Sequence, residues 1–185
     1  MLSLRSSDDR FKIRFEIIEN GSGVFSGVID EISQTQVPNY VFSLPRRLLR
    51  VDKGLPINTS MVVLSQGGTP YMIGEHGDSE APEGMVFRSY RLFEPSGKYS
   101  WRRPTKVVDV VTGLPKSDEL QNMTPATIWG LYEPNQREAF DREYYVSTEQ
   151  ASFITNQPIK RQDRIDGKDV IRVDYRLGLY IATLS

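Results

Sequence analysis

The chain has 185 residues, enough for one domain or two small ones, and its 38% hydrophobic and 25% charged content fits a packed core rather than disorder. With 23 basic and 24 acidic residues the net charge is -1, which excludes a general nucleic-acid coat and leaves DNA contact to local patches. It has no cysteine and one histidine, His76, which excludes disulfides, thiolate metal sites and thiol nucleophiles.

The first ten residues are polar and lack an apolar h-region, so no secretion signal is expected. No apolar run approaches the roughly 20 residues of a membrane helix. Residues 11–17 alternate apolar and polar with period two, the pattern of a half-buried strand. Asn20-Gly21-Ser22-Gly23 is a turn, and 24–32 returns as the second strand of a hairpin. Residues 34–39 form a loop, and 40–44 are a short apolar run ended by Pro45. Pro45 stands at the first position of a predicted short helix running to Arg50.

Residues 60–64 and 71–73 read as strands joined by Gln66-Gly67-Gly68-Thr69, where glycines supply the positive φ of a tight hairpin. Residues 78–84 are a polar loop with Pro82. Residues 85–93 carry bulky side chains on both faces, which predicts a strand between two packed surfaces, one of them intermolecular. Residues 95–104 are turn-rich around Trp101, 106–111 form a brief strand, and 112–125 hold the punctuation of a linker.

In the last third, 126–133 is a strand centred on Trp129, and 134–142 is predicted to make one or two helical turns. A long β run covers 143–155, Asp166-Gly167 suits a type I′ turn, and 169–175 and 179–184 are the closing strands. The sum is an all-β fold, mainly an antiparallel barrel or sandwich with one or two short helices. The expected organisation is an N-terminal β domain (1–111), a linker (112–125) and a C-terminal β module (126–185). Residues 60–93 and 164–184 share a strand–turn–strand pattern, which any two antiparallel meanders would also show.

Little points to chemistry. His76 lies near Glu75 and Asp78 but has no second histidine or cysteine to complete a ligand set. Asp30, Glu31, Glu80, Glu83, Asp163, Asp166 and Asp169 mostly sit beside Lys or Arg in turns, the pattern of a solvated surface. No nucleophile elbow, P-loop or dinucleotide fingerprint is present. No enzyme, cofactor or metal site is expected. The sequons at Asn58 and Asn122 are read as chance matches.

Basic clusters offer phosphate contact. The DNA-facing candidates are Arg46, Arg47, Arg50, Arg102, Arg103, Lys160 and Arg161. The competing reading, favoured for each cluster alone, is that they offset acidic residues at subunit contacts. Trp101, Trp129, Tyr132, Phe140, Tyr144 and Tyr145 are the interface candidates, because Trp and Tyr bury large areas with a polar tip. Core packing is the favoured role for Trp129. For Trp101, in a Pro/Ser/Arg passage, contact surface and core are even.

One order of features carries a family resemblance: Ile128-Trp129-Gly130-Leu131-Tyr132-Glu133-Pro134, then Asn135-Gln136-Arg137-Glu138-Ala139-Phe140, then the long strand, then Asp163-Arg164-Ile165-Asp166-Gly167 and two closing strands. This third of the chain resembles the head–tail joining proteins of tailed bacteriophages, the adaptor or head-closure ("stopper") group. The resemblance implies a small β-barrel in a six- or twelve-fold ring of the virion neck, assembled in the host cytoplasm. Its implied partners are portal protein and tail proteins, with non-specific contact to packaged DNA and no membrane. A loop that plugs the channel would come from 78–84 or 112–122. Two alternatives stay open: a tail-terminator or baseplate ring component, and a carbohydrate- or peptide-binding β-sandwich using Trp101 and the tyrosines.

Overall fold

The computed structural model describes residues 12–31, 47–75, 78–81, 85–114, 119–141 and 144–185. Thirteen strands and no helix occur among them: β1 (Ile13–Glu19), β2 (Val24–Glu31), β3 (Arg47–Asp52), β4 (Val62–Ser65), β5 (Pro70–Gly74), β6 (Asp78–Ala81), β7 (Met85–Phe93), β8 (Gly97–Thr105), β9 (Glu119–Asp141), β10 (Tyr144–Thr155), β11 (Arg164–Ile165), β12 (Lys168–Arg176) and β13 (Leu179–Leu184). The fold is all-β, as the alternation and turn chemistry predict. The expected short helices are corrected. The stretch after Pro45 forms β3, and 134–141 continues β9.

The chain divides into two compact units, one ending at Pro95 and including Arg176–Leu179, the other comprising Ser96–Tyr175 and Tyr180–Ser185. The division thus falls before the expected 112–125 linker, and 119–125 are paired within β9.

In the first unit the strands run β3-β2-β1-β4-β5-β7, with β6 beside β7, and β7 also pairs with β3. The ladder therefore returns to its start through six antiparallel strands. Period-two alternation turns Phe15, Leu49, Val51, Val63, Ile73, Tyr90 and Leu92 into its core. Of the expectation for β7, the packing of both faces is seen for 87 and 89–93. Phe87, Ser89, Tyr90, Arg91, Leu92 and Phe93 are all buried. The Tyr90 hydroxyl donates to the Ile57 carbonyl at 2.9 Å, which satisfies the one polar atom the ring carries inward.

The second unit is a closed antiparallel barrel in the order β10-β13-β12-β11-β8-β9. Closure removes the free edges that an open sheet would leave. Trp101, Ile128, Phe153, Ile165, Val170, Ala182 and Leu184 fill it. Asp166 and Gly167 have φ of 50° and 85°, the two positive values a type I′ turn requires. Gly130 is fixed by close approach rather than by φ. A Cβ there would stand 2.0 Å from Phe153 Cζ, so the glycine lets the buried ring lie against the β9 backbone.

Candidate functional site

Trp101, an expected contact residue, is 3% exposed at the centre of the barrel core. The expected turn-rich passage around it is β8, in which Tyr99, Trp101 and Arg103 alternate with Lys98, Ser100 and Arg102. Its indole N–H donates to Asp163 Oδ2 at 3.0 Å. Asp163 is fully buried, which corrects its assignment to the solvated surface. Its carboxylate also accepts from Arg103 Nε at 2.7 Å, Arg103 Nη2 at 2.8 Å and the Lys160 backbone N–H at 2.9 Å. The Arg103 guanidinium stands 5.3 Å over the Trp101 ring and donates further to the Pro158 carbonyl at 3.2 Å. The bond to Asp163 raises the Arg103 pKa above its ordinary value, with desolvation opposing it. This cluster ties the loop before β11 to β8. It neutralises Arg103 internally, so the geometry spends this DNA-facing candidate on the fold.

The first-unit basic candidates are similarly engaged. Arg50 Nε lies 2.6 Å from Asp30 Oδ2 and its guanidinium sits 5.2 Å over Phe87. Arg47 donates to the Tyr71 hydroxyl at 2.8 Å and lies 3.6 Å from Glu94. Arg46 lies outside the described residues. Arg102, Lys160 and Arg161 are exposed, and none makes an ion pair among the described residues. The Lys160 backbone N–H donates to Asp163, and Arg102 precedes Arg103 in β8. Arg102 also faces Arg164 across the β8–β11 ladder. Arg164 has an acidic partner, Asp169, at 2.7 Å, which raises its pKa.

Trp129 is half-buried, with Lys98 Nζ 4.8 Å above its ring. Tyr132 stacks with Tyr99 at 6.1 Å between centroids, and Lys168 sits over the Tyr132 ring and donates to its hydroxyl. Tyr99 in turn meets Phe153 edge-on at 5.2 Å. These rings are partly core, and Lys98 and Lys168 cover what reaches solvent.

The backbone of β9 and β10 holds a feature that the sequence reading missed. β9 pairs with β8 up to Gly130, and β10 pairs with β13 only over 151–155. Beyond Pro134↔Ala151 the two strands pair with each other alone among the described residues, through Tyr145↔Phe140 to Tyr144↔Asp141. Residues 135–141 and 144–150 therefore form a two-stranded ribbon that extends past the closed barrel. The interface candidates Phe140, Tyr144 and Tyr145 all lie on it. At about 3.3 Å per residue, seven pairs project roughly 23 Å.

A second exposed element is the turn after β8. Asp109 accepts from the backbone N–H of Val111 and Thr112 at 2.8 and 3.1 Å, and its own N–H donates to Leu114 at 2.9 Å. The turn holds Val110 and Val111 at 99% and 93% exposure, with Val108 and Leu114 also exposed. A strand over 106–111 was expected, and this corrects it. The two stretches named for a channel plug are only partly loop: 112–114 lie in this turn. Asp78–Ala81 is β6 and 119–122 belong to β9, while 82–84 and 115–118 lie outside the described residues. His76 also lies outside them.

No group of His, Cys, Asp and Glu among the described residues could hold a metal ion, and no helix long and apolar enough to cross a membrane occurs among them. Comparison with protein-family models, curated proteins and solved structures finds no match.

Proposed function

We propose that the chain is a structural ring protein of a tailed-phage neck, joining portal to tail and extending the DNA channel. The observation that carries this reading is the closed six-stranded barrel built from Ser96 onward. It contains most of the segment that resembles the head–tail joining proteins, and the paired strands 135–141 and 144–150 run on beyond its ladders to β8 and β13. A barrel without free edges is a stable module for stacking in a ring, and a projecting ribbon gives it reach to a neighbour. Heterologous contact repeated about an axis closes such a ring. The buried polar cluster at Asp163 is tied off by hydrogen bonds from its own barrel, which favours a scaffold over a reactive centre.

The test is co-purification of the tagged full chain from infected cells, with imaging of the particles that carry it. A ring between portal and tail is expected. Recovery with tail-tube or baseplate proteins alone, or a chain that stays monomeric and binds neither, would remove the reading.

A further inference from the structure

We infer that the outward face of β8 and β11, centred on Arg102 and Arg164, binds the phosphate backbone of double-stranded DNA. The inference rests on the neck reading, which brings DNA to the protein, and names the face that meets it.

The register and the core together fix which residues share this face. Trp101 pairs with Ile165, and both are buried in the barrel core. Neighbouring positions on a strand point to opposite faces, so the next pair, Arg102 and Arg164, points outward. The row continues on both sides, from Asn122 of β9 through Arg102 and Arg164 to Asp169 of β12. Along β8, Lys98 and Ser100 are exposed with Arg102, while Tyr99 and Trp101 pack on the core. Thr127 stands opposite Ser100, and Trp129 opposite Lys98.

Directly opposed residues of an antiparallel pair have Cβ atoms about 4.5–5.5 Å apart, and like charges there repel. Arg102 and Arg164 are such a pair. Asp169 takes Arg164 at 2.7 Å, but that pair is exposed and contributes little. Arg102 makes no ion pair among the described residues, so its charge stands against that of Arg164. Asp166 is the other acid at this place, and its backbone N–H donates to the Ser100 carbonyl at 3.0 Å. A phosphate between the two guanidinium groups relieves the repulsion and accepts hydrogen bonds from both. Lys98, four residues along the same face and so about 13 Å away, adds a cation for a further phosphate of the same backbone. Ser100, Thr127 and Asn122 offer neutral donors on the same face. These groups recognise phosphate and not bases, which suits DNA of any sequence.

The experiment measures binding of the full chain to a mixed-sequence DNA duplex by fluorescence anisotropy at several salt concentrations, alongside assembly with portal and tail proteins. Arg102→Gln and Arg164→Gln should each weaken binding by about tenfold, the worth of one charged hydrogen-bonded contact. Each should also reduce the slope of log affinity against log salt by about 0.9. Asp169→Asn should strengthen binding, since it releases Arg164 to the phosphate. Lys53→Gln, which removes the same charge from an exposed turn of the first unit, should leave affinity unchanged. Arg102→Gln should melt no lower than wild type, because it removes one of two opposed charges. Unchanged affinity in the chain carrying both Arg102→Gln and Arg164→Gln, or an equal loss in Lys53→Gln, overturns the inference and leaves the neck reading standing. Inorganic phosphate that displaces the duplex better than chloride of equal ionic strength also overturns it and assigns the face to a free anion. Loss of assembly with portal or tail at unchanged DNA affinity overturns it in favour of an acidic protein partner. A chain that binds DNA through this face but joins neither portal nor tail removes the neck reading and keeps the phosphate site.

Discussion

Replacing Asp163 by Asn is the sharpest test of what holds the barrel. The carboxylate accepts four hydrogen bonds: one from Trp101, two from Arg103 and one from the Lys160 backbone. An amide keeps the shape but has one acceptor oxygen, and its NH2 then faces N–H donors. Breaking a buried ion pair from one side costs about 3–5 kcal/mol, because the other charge is left uncompensated. The Arg103 side chain is 26% exposed, so water recovers part of that loss and the low end, about 3 kcal/mol, is expected. At roughly 2–4 °C per kcal/mol for a chain of this size, melting should fall by about 6–12 °C. Calorimetry paired with tryptophan fluorescence reads it, because Trp101 donates directly to the altered group. Arg103→Lys keeps the charge but loses the two-pronged bond, so it should fall between wild type and Asp163→Asn. Asp163→Leu combined with Arg103→Met should recover much of the loss, since apolar pairs often replace buried ion pairs at little cost. If Asp163→Asn melts within about 1 kcal/mol of wild type, the cluster is not what secures the loop before β11, and the reasoning fails.

Gly130→Ala should destabilise the barrel by about 1–3 kcal/mol, measured by urea unfolding, because its Cβ meets the buried Phe153 ring at 2.0 Å. Gly167→Ala, with no atom within 4 Å of its Cβ but φ at 85°, should cost only about 1 kcal/mol in the same assay, the strain of a left-handed alanine. Val110→Asp with Val111→Asp should leave the melting temperature unchanged within about 0.5 kcal/mol, as both are solvent-exposed. Loss of binding to a co-purified partner in that variant would mark the turn as a docking point. Burial raises the Glu133 pKa above its usual carboxylate value. The folded state then holds its proton to higher pH than the unfolded state, so Glu133 lowers stability as pH rises from the unfolded pKa through the folded one. Glu133→Gln should therefore be relatively more stable than wild type at neutral pH and lose that advantage below the unfolded pKa, as thermal melts across the acid range would show.

Where each strand carries its own signal, sequence and structure agree closely. β7 and β13 coincide with the expected 85–93 and 179–184, because each is a run rich in apolar and aromatic residues bounded by glycine or proline. The Asp166-Gly167 turn needed only local chemistry, two residues that tolerate positive φ. Elsewhere punctuation misled. Pro45 suggested a helix start, yet Leu49 and Val51 two apart in the core of β3 were the stronger pattern. Pro95, Ser96 and Pro104 hid β8, although Tyr99 and Trp101 already alternate there. The helix-forming residues of 134–141 are held extended by a partner strand, which local propensity cannot register.

The sequence by itself determined the all-β class, the tight turns and the lack of cysteine, since these follow from residue type and period-two patterning. It also held the features on which the family resemblance rests. Which basic residues remain free for a partner was decided only in three dimensions. Arg103 is consumed by an Asp 60 positions away, Arg50 by Asp30, and Arg102, Lys160 and Arg161 are left exposed. The ribbon emerged in the same way. Nothing in 135–150 says that these residues lie beyond a barrel; that depends on where β8 and β13 stop pairing, and the closure of the barrel sets those limits. Charge and apolarity are properties of single residues, whereas availability depends on which distant strand has already claimed them.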